Sequence, residues 1–217
     1  MVDTGFGTAE NPDLGHLLQN LHTAGIKPTE IDTVIHSHLH VDHIGGNVDS
    51  RGKSIYPNAR HIVNTTEWEF WKTMLGQKQV EPGLIQSTVT ALKKNIIPIQ
   101  NRVKLVDDEA EIVPGIKSIL APGHTPGNIV LELSSGSGQL ILIGDLLHLP
   151  VELTQPDLFR HIDEAHDLAV LTRNRILSEA AREGTMVFAG HFPFPGLGHI
   201  YQRGDIMQWQ PLELTCP

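Results

Sequence analysis

The sequence predicts a mixed fold of the α/β or α+β class, built as a single domain over residues 1–217. Short apolar segments alternate along the chain with longer segments whose apolar residues repeat at helical spacing. In addition, conspicuous polar residues follow the ends of predicted strands, in loops where binding groups usually lie. A chain of 217 residues is also long enough to bury a substantial core.

The first half of the chain predicts two helices and two strands. Asn11 is a suitable cap for the first helix, Pro12 suits its first turn, and Gly25 suits its end. The segment "DTVIHS" is a short apolar strand that leads directly into a cluster of histidines. In chain order, the predicted elements are a helix at 11–25, strands at 32–37 and 59–64, and a helix at 66–75.

The second half predicts several strands and one long helix. The sequence "SSGSG" is typical of a hairpin turn between two strands. Gly184 suits the end of the long amphipathic helix. The predicted elements are strands at 116–120, 128–133 and 139–145, a helix at 163–184, and a strand at 185–190.

Composition narrows the possible functions. A net charge of −9 argues against a protein that binds nucleic acid or a membrane surface, because such proteins usually carry a basic patch. No apolar run is long enough to span a bilayer and no signal-peptide pattern opens the chain, so we expect a cytoplasmic protein. The single cysteine, Cys216, excludes a cysteine-rich zinc site. With 13 histidines in the chain, any metal would be held by nitrogen and oxygen.

The segment "HSHLHVDHIGG" concentrates potential metal ligands. In the frame His38-x-His40-x-Asp42-His43, two histidines spaced by two can reach one ion, and Asp42 and His43 then point toward a second position. Gly45 allows a tight turn behind them. The alternative is a solvated, histidine-rich loop, which does not explain the aspartate in this frame.

Three more polar residues follow strands or lie in glycine- and proline-rich loops. His124 lies in "APGHTPGN", Asp145 ends "LILIGD", and His191 ends "FAGH". Taken singly, each has an ordinary alternative, such as a loop histidine bonded to backbone or a helix cap. Together with the cluster they supply five histidines and two aspartates.

The combination of these histidines and aspartates resembles the signature of the metallo-β-lactamase superfamily of hydrolases. The family signature is an aspartate, then HxHxDH, then His, Asp and His; the matching residues are Asp3, His38, His40, Asp42, His43, His124, Asp145 and His191. The resemblance implies an αββα sandwich with a two-metal site. One ion would be held by His38, His40 and His124, and the other by Asp42, His43 and His191, with Asp145 bridging. Asp3 would support a ligand histidine, and His36 falls outside the frame and would be structural.

The implied cofactors are two divalent metal ions. Imidazole and carboxylate suit zinc, the first candidate, and also iron, manganese or cobalt. A hydroxide shared between two ions is a nucleophile at neutral pH, because metal binding lowers the pKa of water to about 7. Asp42 is the candidate catalytic residue, accepting a proton from the attacking water or passing one to the leaving group.

Several branches of the family fit poorly. A cysteine-ligand β-lactamase is not expected because Cys216 lies beyond the other motifs, and RNA-processing members need a basic surface. Hydroxyacylglutathione hydrolases add a C-terminal helical domain, for which few residues follow His191. The remaining chain resembles N-acyl homoserine lactonases and methyl parathion hydrolase-like proteins. Lactone opening is our first hypothesis, arylesterase or phosphotriesterase activity the second, and a non-catalytic metal-binding protein the third.

The resemblance to the methyl parathion hydrolase-like branch is carried by "YPNARHIVNTTEWEFW" and "AGHFPFPGLGHI". We therefore expect Trp68, Phe192 and Phe194 to line a substrate pocket for a small ester or lactone, with His199 supporting the site. The alternative for the aromatic residues is ordinary core.

Family members normally have several strands before the "DTG" turn, so the resemblance implies a sheet without its usual N-terminal strands. An uncovered sheet should associate, and we expect a homodimer or a marginally stable monomer.

Overall fold

The computed structural model describes residues 1–7, 13–79, 83–204 and 206–213. The chain divides into two compact units, Met1–Asp107 and Asp108–Pro217. Both units combine helices with β-strands, which confirms the predicted mixed α/β class. The single domain over 1–217 stays a prediction. Within the described residues, no helix combines the length and the apolar character that a bilayer span requires.

The first unit is built on a small parallel sheet with the strand order β1-β2-β3. Its strands are β1 (Thr33–Ile35), β2 (Arg60–Asn64) and β3 (Val103–Val106). The backbone of Val2 pairs with Ile35 in parallel, which places the chain start beside β1. The strand ends therefore bring the residues that follow β1 next to those around Asp3.

The described residues of this unit form the α-helices α1 (Leu17–Thr23), α2 (Val41–Ile44), α3 (Thr65–Leu75) and α4 (Leu84–Asn95). The side chain of Asn64 accepts hydrogen bonds from the amides of Thr66 and Glu67, which caps α3. Trp71 and Leu92 pack in one apolar cluster, so α3 and α4 share a core. A second cluster forms around Tyr56.

The second unit contains a seven-stranded sheet with the order β10-β9-β8-β7-β6-β5-β4. Its strands are β4 (Glu111–Val113), β5 (Ile116–Leu120), β6 (Ile129–Ser135), β7 (Gly138–Leu142), β8 (Met186–Phe188), β9 (Leu197–Arg203) and β10 (Ile206–Pro211). β7 and β8 pair in parallel, and the other neighbours are antiparallel. The crossover between β7 and β8 is helix α5 (His166–Glu183).

Helix α5 packs on this sheet through Ile176 and Leu177, which join the same apolar cluster as Ile141 and Val187. The helix ends at Gly184, which has a left-handed backbone with a φ of 67°. The predicted stop for this helix is therefore confirmed.

The first predicted helix is shorter than expected. The structure places α1 at Leu17–Thr23 with no buried residue, whereas the sequence predicted a helix over 11–25. The predicted cap residues Asn11 and Pro12 lie outside the described residues. Leu14 and Leu18 are exposed, so little apolar packing is present to extend the helix.

Candidate metal centre

The histidine cluster of the first unit begins directly after β1. The Nε2 atom of His38 lies 2.9 Å from Nδ1 of His40, and both side chains are buried. Two nitrogen ligands of a tetrahedral zinc ion lie about 3.3 Å apart, given zinc–nitrogen distances near 2.0–2.1 Å. The two nitrogens thus lie at nearly the separation that one shared ion requires.

Asp42 and His43 form a second donor pair on the single helical turn α2. The Nε2 atom of His43 lies 3.5 Å from Oδ2 of Asp42, while its Nδ1 atom lies 2.8 Å from Oδ2 of Asp3. A carboxylate accepts hydrogen bonds only, so Nδ1 of a neutral His43 carries the proton and Nε2 presents its lone pair. The ring nitrogen beside Asp42 is therefore in the form that binds a metal.

Asp3 connects three groups of the turn. Besides His43, its carboxylate accepts hydrogen bonds from the amide of Ser37 at 2.8 Å and from the Ser37 hydroxyl at 2.7 Å. The backbone of Asp3 has a φ of 51°, an uncommon conformation that Asp and Asn tolerate better than most residues. A Cβ atom at Gly46 would lie 2.2 Å from the carbonyl oxygen of Thr4, so glycine permits this close approach of the two segments.

The buried carboxylate of Glu67 holds the turn from its other side. Oε1 of Glu67 accepts hydrogen bonds from the amide of Leu39 at 2.9 Å and from Nε1 of Trp71 at 2.7 Å. The Trp71 ring also meets the His40 ring edge-on, with centroids 5.7 Å apart. Sequence reasoning missed Glu67, although a glutamate beside buried aromatic residues on α3 was a possible signal.

His36 does not join these donor pairs. Its Nε2 atom lies 3.1 Å from Nδ1 of His61, and the two buried rings are stacked 5.4 Å apart. Burial lowers the pKa of His36 to about 4 and that of His61 to about 3. Both rings are therefore neutral at physiological pH, in keeping with the structural role predicted for His36.

In the second unit, Asp145 lies between two of the predicted ligand histidines. Its Oδ2 atom lies 3.3 Å from Nε2 of His124, and its Oδ1 atom lies 3.1 Å from Nε2 of His191. Each carboxylate oxygen thus faces a different imidazole. This is the arrangement that a carboxylate shared between two ions requires.

His148 is a further histidine at this position that sequence reasoning missed. Its Nε2 atom lies 3.2 Å from Oδ2 of Asp145, and its ring centroid lies 5.2 Å from those of His124 and His191. Burial lowers the pKa of His148, but the hydrogen bonds to Asp145 and Glu152 outweigh it and raise the pKa to about 9. The available signal was a histidine three residues after the strand-end aspartate.

A buried ion pair supports the loop that carries Asp145 and His148. Glu152 accepts hydrogen bonds from the amides of His148 at 2.6 Å and Leu149 at 2.7 Å, and it lies 3.3 Å from the guanidinium of Arg173 on α5. Arg173 also donates through Nε to the carbonyl of Leu146 at 2.7 Å. Although burial raises the pKa of Glu152, these interactions lower it overall, so the pair stays charged.

The predicted pocket residues lie in different surroundings. Phe192 is buried and packs edge-on against Trp209, whereas Phe194 is 90% exposed. His199 lies on β9, where its ring is 6.3 Å from that of Tyr201. In the first unit, Trp68 lines a mainly apolar cavity of about 170 Å³ together with Trp71, Lys72, Leu75, Leu92, Ile97 and Gln100.

The comparison with protein families assigns the chain that carries these metal-donor residues to one superfamily. Residues 1–191 match the family described as the metallo-beta-lactamase superfamily. The chain therefore belongs to the metallo-β-lactamase superfamily, which confirms the resemblance found in the sequence.

The curated proteins that are similar to this chain include N-acyl homoserine lactonases. An N-acyl homoserine lactonase of Bacillus sp is 29% identical over 172 residues, covering 79% of this chain and 60% of that protein. The N-acyl homoserine lactonase AiiA of Bacillus thuringiensis subsp. kurstaki is 28% identical over the same length, with the same shares covered. The chain thus spans about 60% of the length of the curated relatives it matches.

Two solved structures are similar to this chain over almost its whole length. A structure of AidC, a dizinc quorum-quenching lactonase in complex with a product, has a TM-score of 0.86 at 31% identity and covers 99% of this chain and 76% of that chain. The hydrolase AbOPH of the beta lactamase superfamily has a TM-score of 0.88, also at 31% identity, with the same coverage. The fold is therefore that of the metallo-β-lactamase superfamily.

Proposed function

We propose that this protein is a metal-dependent hydrolase that opens lactones, with N-acyl homoserine lactones as the substrate class. The observation that carries the proposal is the complete set of family ligands, arranged within each unit at separations that suit metal coordination. The names of similar proteins suggest the reaction, because the two curated relatives described above are N-acyl homoserine lactonases.

The proposed cofactors are two divalent ions, with zinc as the first candidate. His38, His40 and His124 would hold one ion, Asp42, His43 and His191 the other, and Asp145 would serve both. Nitrogen and carboxylate donors fit zinc, and the similar AidC is a dizinc lactonase. The proton held on Nδ1 of His43 by Asp3 further supports this assignment.

Bound at this centre, the ions would lower the pKa of water and polarise the lactone carbonyl. The protein's own contribution to proton transfer is assigned to Asp42, whose carboxylate is partly exposed while the neighbouring His43 is nearly buried. Its Oδ atoms can accept a proton from water and deliver it to the alkoxide that leaves when the ring opens. Asp3 and Glu67 would keep the turn rigid during this transfer.

The cavity beside Trp68 supports an apolar acyl group in the substrate. Its wall residue Trp71 contacts the His40 ring, so an acyl chain in the cavity would lie one side chain away from a proposed ligand. The same apolar walls suit an aryl group, and arylesterase or phosphotriesterase activity is therefore the second candidate.

A direct comparison of substrates tests the proposal. Zinc-loaded protein is assayed with N-hexanoyl homoserine lactone and with a 4-nitrophenyl phosphotriester, and its metal content is measured by elemental analysis. We expect two metal ions per chain and a higher kcat/KM for the lactone. Faster turnover of the phosphotriester would favour the second candidate. Two bound ions without turnover of any ester, lactone or phosphotriester would favour a non-catalytic metal-binding protein.

A homodimer and a cytoplasmic location belong to the same proposal, and both rest on the sequence. Sedimentation of the purified protein tests the dimer, and fractionation of the source cells tests the location.

A further inference from the structure

A chain of side chains leads from His124 to the surface of the second unit. The Nδ1 atom of His124 lies 3.3 Å from Oδ1 of Asp163, and Oδ2 of Asp163 lies 2.9 Å from Nδ1 of His166. The Nε2 atom of His166 lies 2.9 Å from Asp157. The side chains of Asp163 and His166 are 2% and 6% exposed, whereas that of Asp157 is 77% exposed. Among the side chains of His124, Asp163, His166 and Asp157, only that of Asp157 is therefore at the surface.

The position of Asp163 determines which nitrogen of His124 carries a proton. Its two carboxylate oxygens lie within hydrogen-bond distance of Nδ1 of His124 and Nδ1 of His166, and a carboxylate accepts hydrogen bonds only. A neutral His124 then carries its proton on Nδ1. With a metal bound, Nε2 of His124, which faces Asp145, would present its lone pair to the ion.

The backbone of the same segment holds the loop of His124 in place. The amide of Glu164 donates to the carbonyl of His124 at 3.1 Å, and the amide of Ala165 donates to that of Gly123 at 2.9 Å. A Cβ atom at Gly123 would lie 2.3 Å from the backbone of Ala169, so only glycine allows the loop to lie this close to α5. The carboxylate and the loop are thus fixed relative to each other.

We propose that Asp163 and His166 are positioning residues for His124 and set the affinity of the centre for its metal. Asp163 holds the imidazole in the tautomer that binds a metal, and His166 holds the second oxygen of Asp163 so that its carboxylate cannot rotate away. This inference rests on the proposed function, because it assigns His124 to a metal ion.

Zinc affinity is the first test, measured by competition with a chromophoric chelator. An amide has one acceptor oxygen and cannot accept from both histidines, so Asp163→Asn is expected to weaken zinc binding by about 10- to 100-fold, the usual effect of losing such a partner. His166→Ala is expected to weaken binding in the same direction. His166→Asn, whose amide can donate from a position close to that of Nδ1, is expected to restore most of the affinity. Asp167→Asn is the matched control, because Asp167 follows His166 on α5 and its side chain is 91% exposed.

A second measurement reads the tautomer without metal or substrate. In ¹⁵N-labelled metal-free protein, NMR correlations of the His124 ring are expected to show a proton on Nδ1. In Asp163→Asn, where no carboxylate faces Nδ1, partial loss of that Nδ1 proton is expected. Thermal unfolding of each metal-free variant identifies any variant that fails to fold. If Asp163→Asn fails to fold, the two His166 variants still test the proposal.

The outcomes separate this inference from the proposed function. Wild-type zinc affinity in folded Asp163→Asn or His166→Ala would overturn the positioning role and leave lactone hydrolysis untouched. A wild-type protein that binds no zinc, iron, manganese or cobalt would overturn the proposed function itself.

Discussion

The two units supply metal ligands in different ways. In the first unit, four proposed ligands lie within residues 38–43, and a nearby turn and two glycines hold them. In the second unit, His124, Asp145 and His191 come from three loops far apart in the chain. A local donor set can be specified by a short motif, whereas a dispersed one depends on the packing of whole elements.

Helix α5 provides that packing in the second unit. Thr172 donates to the carbonyl of Pro122 at 2.8 Å, and Arg173 donates to the carbonyl of Leu146. Consecutive residues of one helix thus hold the loops of His124 and Asp145. The comparison leads us to expect that changes near the first donor set affect chemistry, whereas changes around α5 affect folding as well.

The largest effect is expected from Asp42→Asn in the first unit. The amide cannot accept a proton, so kcat for lactone opening should fall by about 10²- to 10⁴-fold, the usual contribution of a general acid or base. Steady-state kinetics on protein of known metal content measures this. Thermal stability should change little, because Asp42 lies on a partly exposed turn. A rate near wild type with both metals bound would show that Asp42 has no such role.

The next effect concerns the ion pair on α5. Glu152→Gln removes one charge of a pair whose side chains are 1% and 4% exposed, and breaking a buried pair costs about 3–5 kcal/mol of unfolding free energy. Chemical denaturation of the metal-free protein measures the loss. Glu179→Gln is the control, because its pair with Arg182 is exposed and such pairs contribute about 0–1 kcal/mol. Equal losses in both variants would contradict the supporting role of α5.

The difference between a local and a dispersed donor set also explains which ligands the sequence predicted. The motif in residues 38–43 carries its own geometry, so its donor pairs could be proposed from spacing alone. His124, Asp145 and His191 gave weak signals singly, and only the family pattern joined them. His148 and Asp163 escaped notice because their roles depend on side chains that approach after folding, which no local periodicity encodes.

Local sequence patterns were limited in the same way for the helices and strands. Helices with a clear apolar stripe or cap, such as α3 and α5, were predicted within a few residues. β3 and the hairpin of β9 and β10 were not predicted, because few of their residues are buried and their apolar residues show no strong alternation. Helix 11–25 was overextended because spacing alone does not show whether an apolar stripe finds a partner.

A smaller effect is expected from Asp3→Asn, which tests whether Asp3 supports His43 alone or the whole histidine turn of the first unit. Asparagine tolerates the positive φ at this position, so the fold should persist. The amide offers a single acceptor oxygen to Ser37 and His43, and affinity for the ion held by His43 should fall by about 10- to 100-fold. Stepwise zinc titration is expected to show one weakened site and one unchanged site. Equal weakening of both sites would mean that Asp3 supports the whole turn.

The smallest effect is expected from acid pH, through the buried pair of His36 and His61. Because burial lowers the pKa of His61 from 6.5 to about 3, the unfolded chain binds a proton between these values and the folded chain does not. The stability that neutral, buried His61 contributes is therefore fully present above about pH 6.5 and is lost as the pH falls toward 3. In metal-free protein, His61→Gln should reduce the loss of unfolding free energy between pH 7 and pH 5 by about 1–2 kcal/mol. The control His22→Gln, on the exposed side of α1, should leave that loss unchanged. An identical pH dependence in wild type and His61→Gln would show that this buried pair does not limit the acid stability of the first unit.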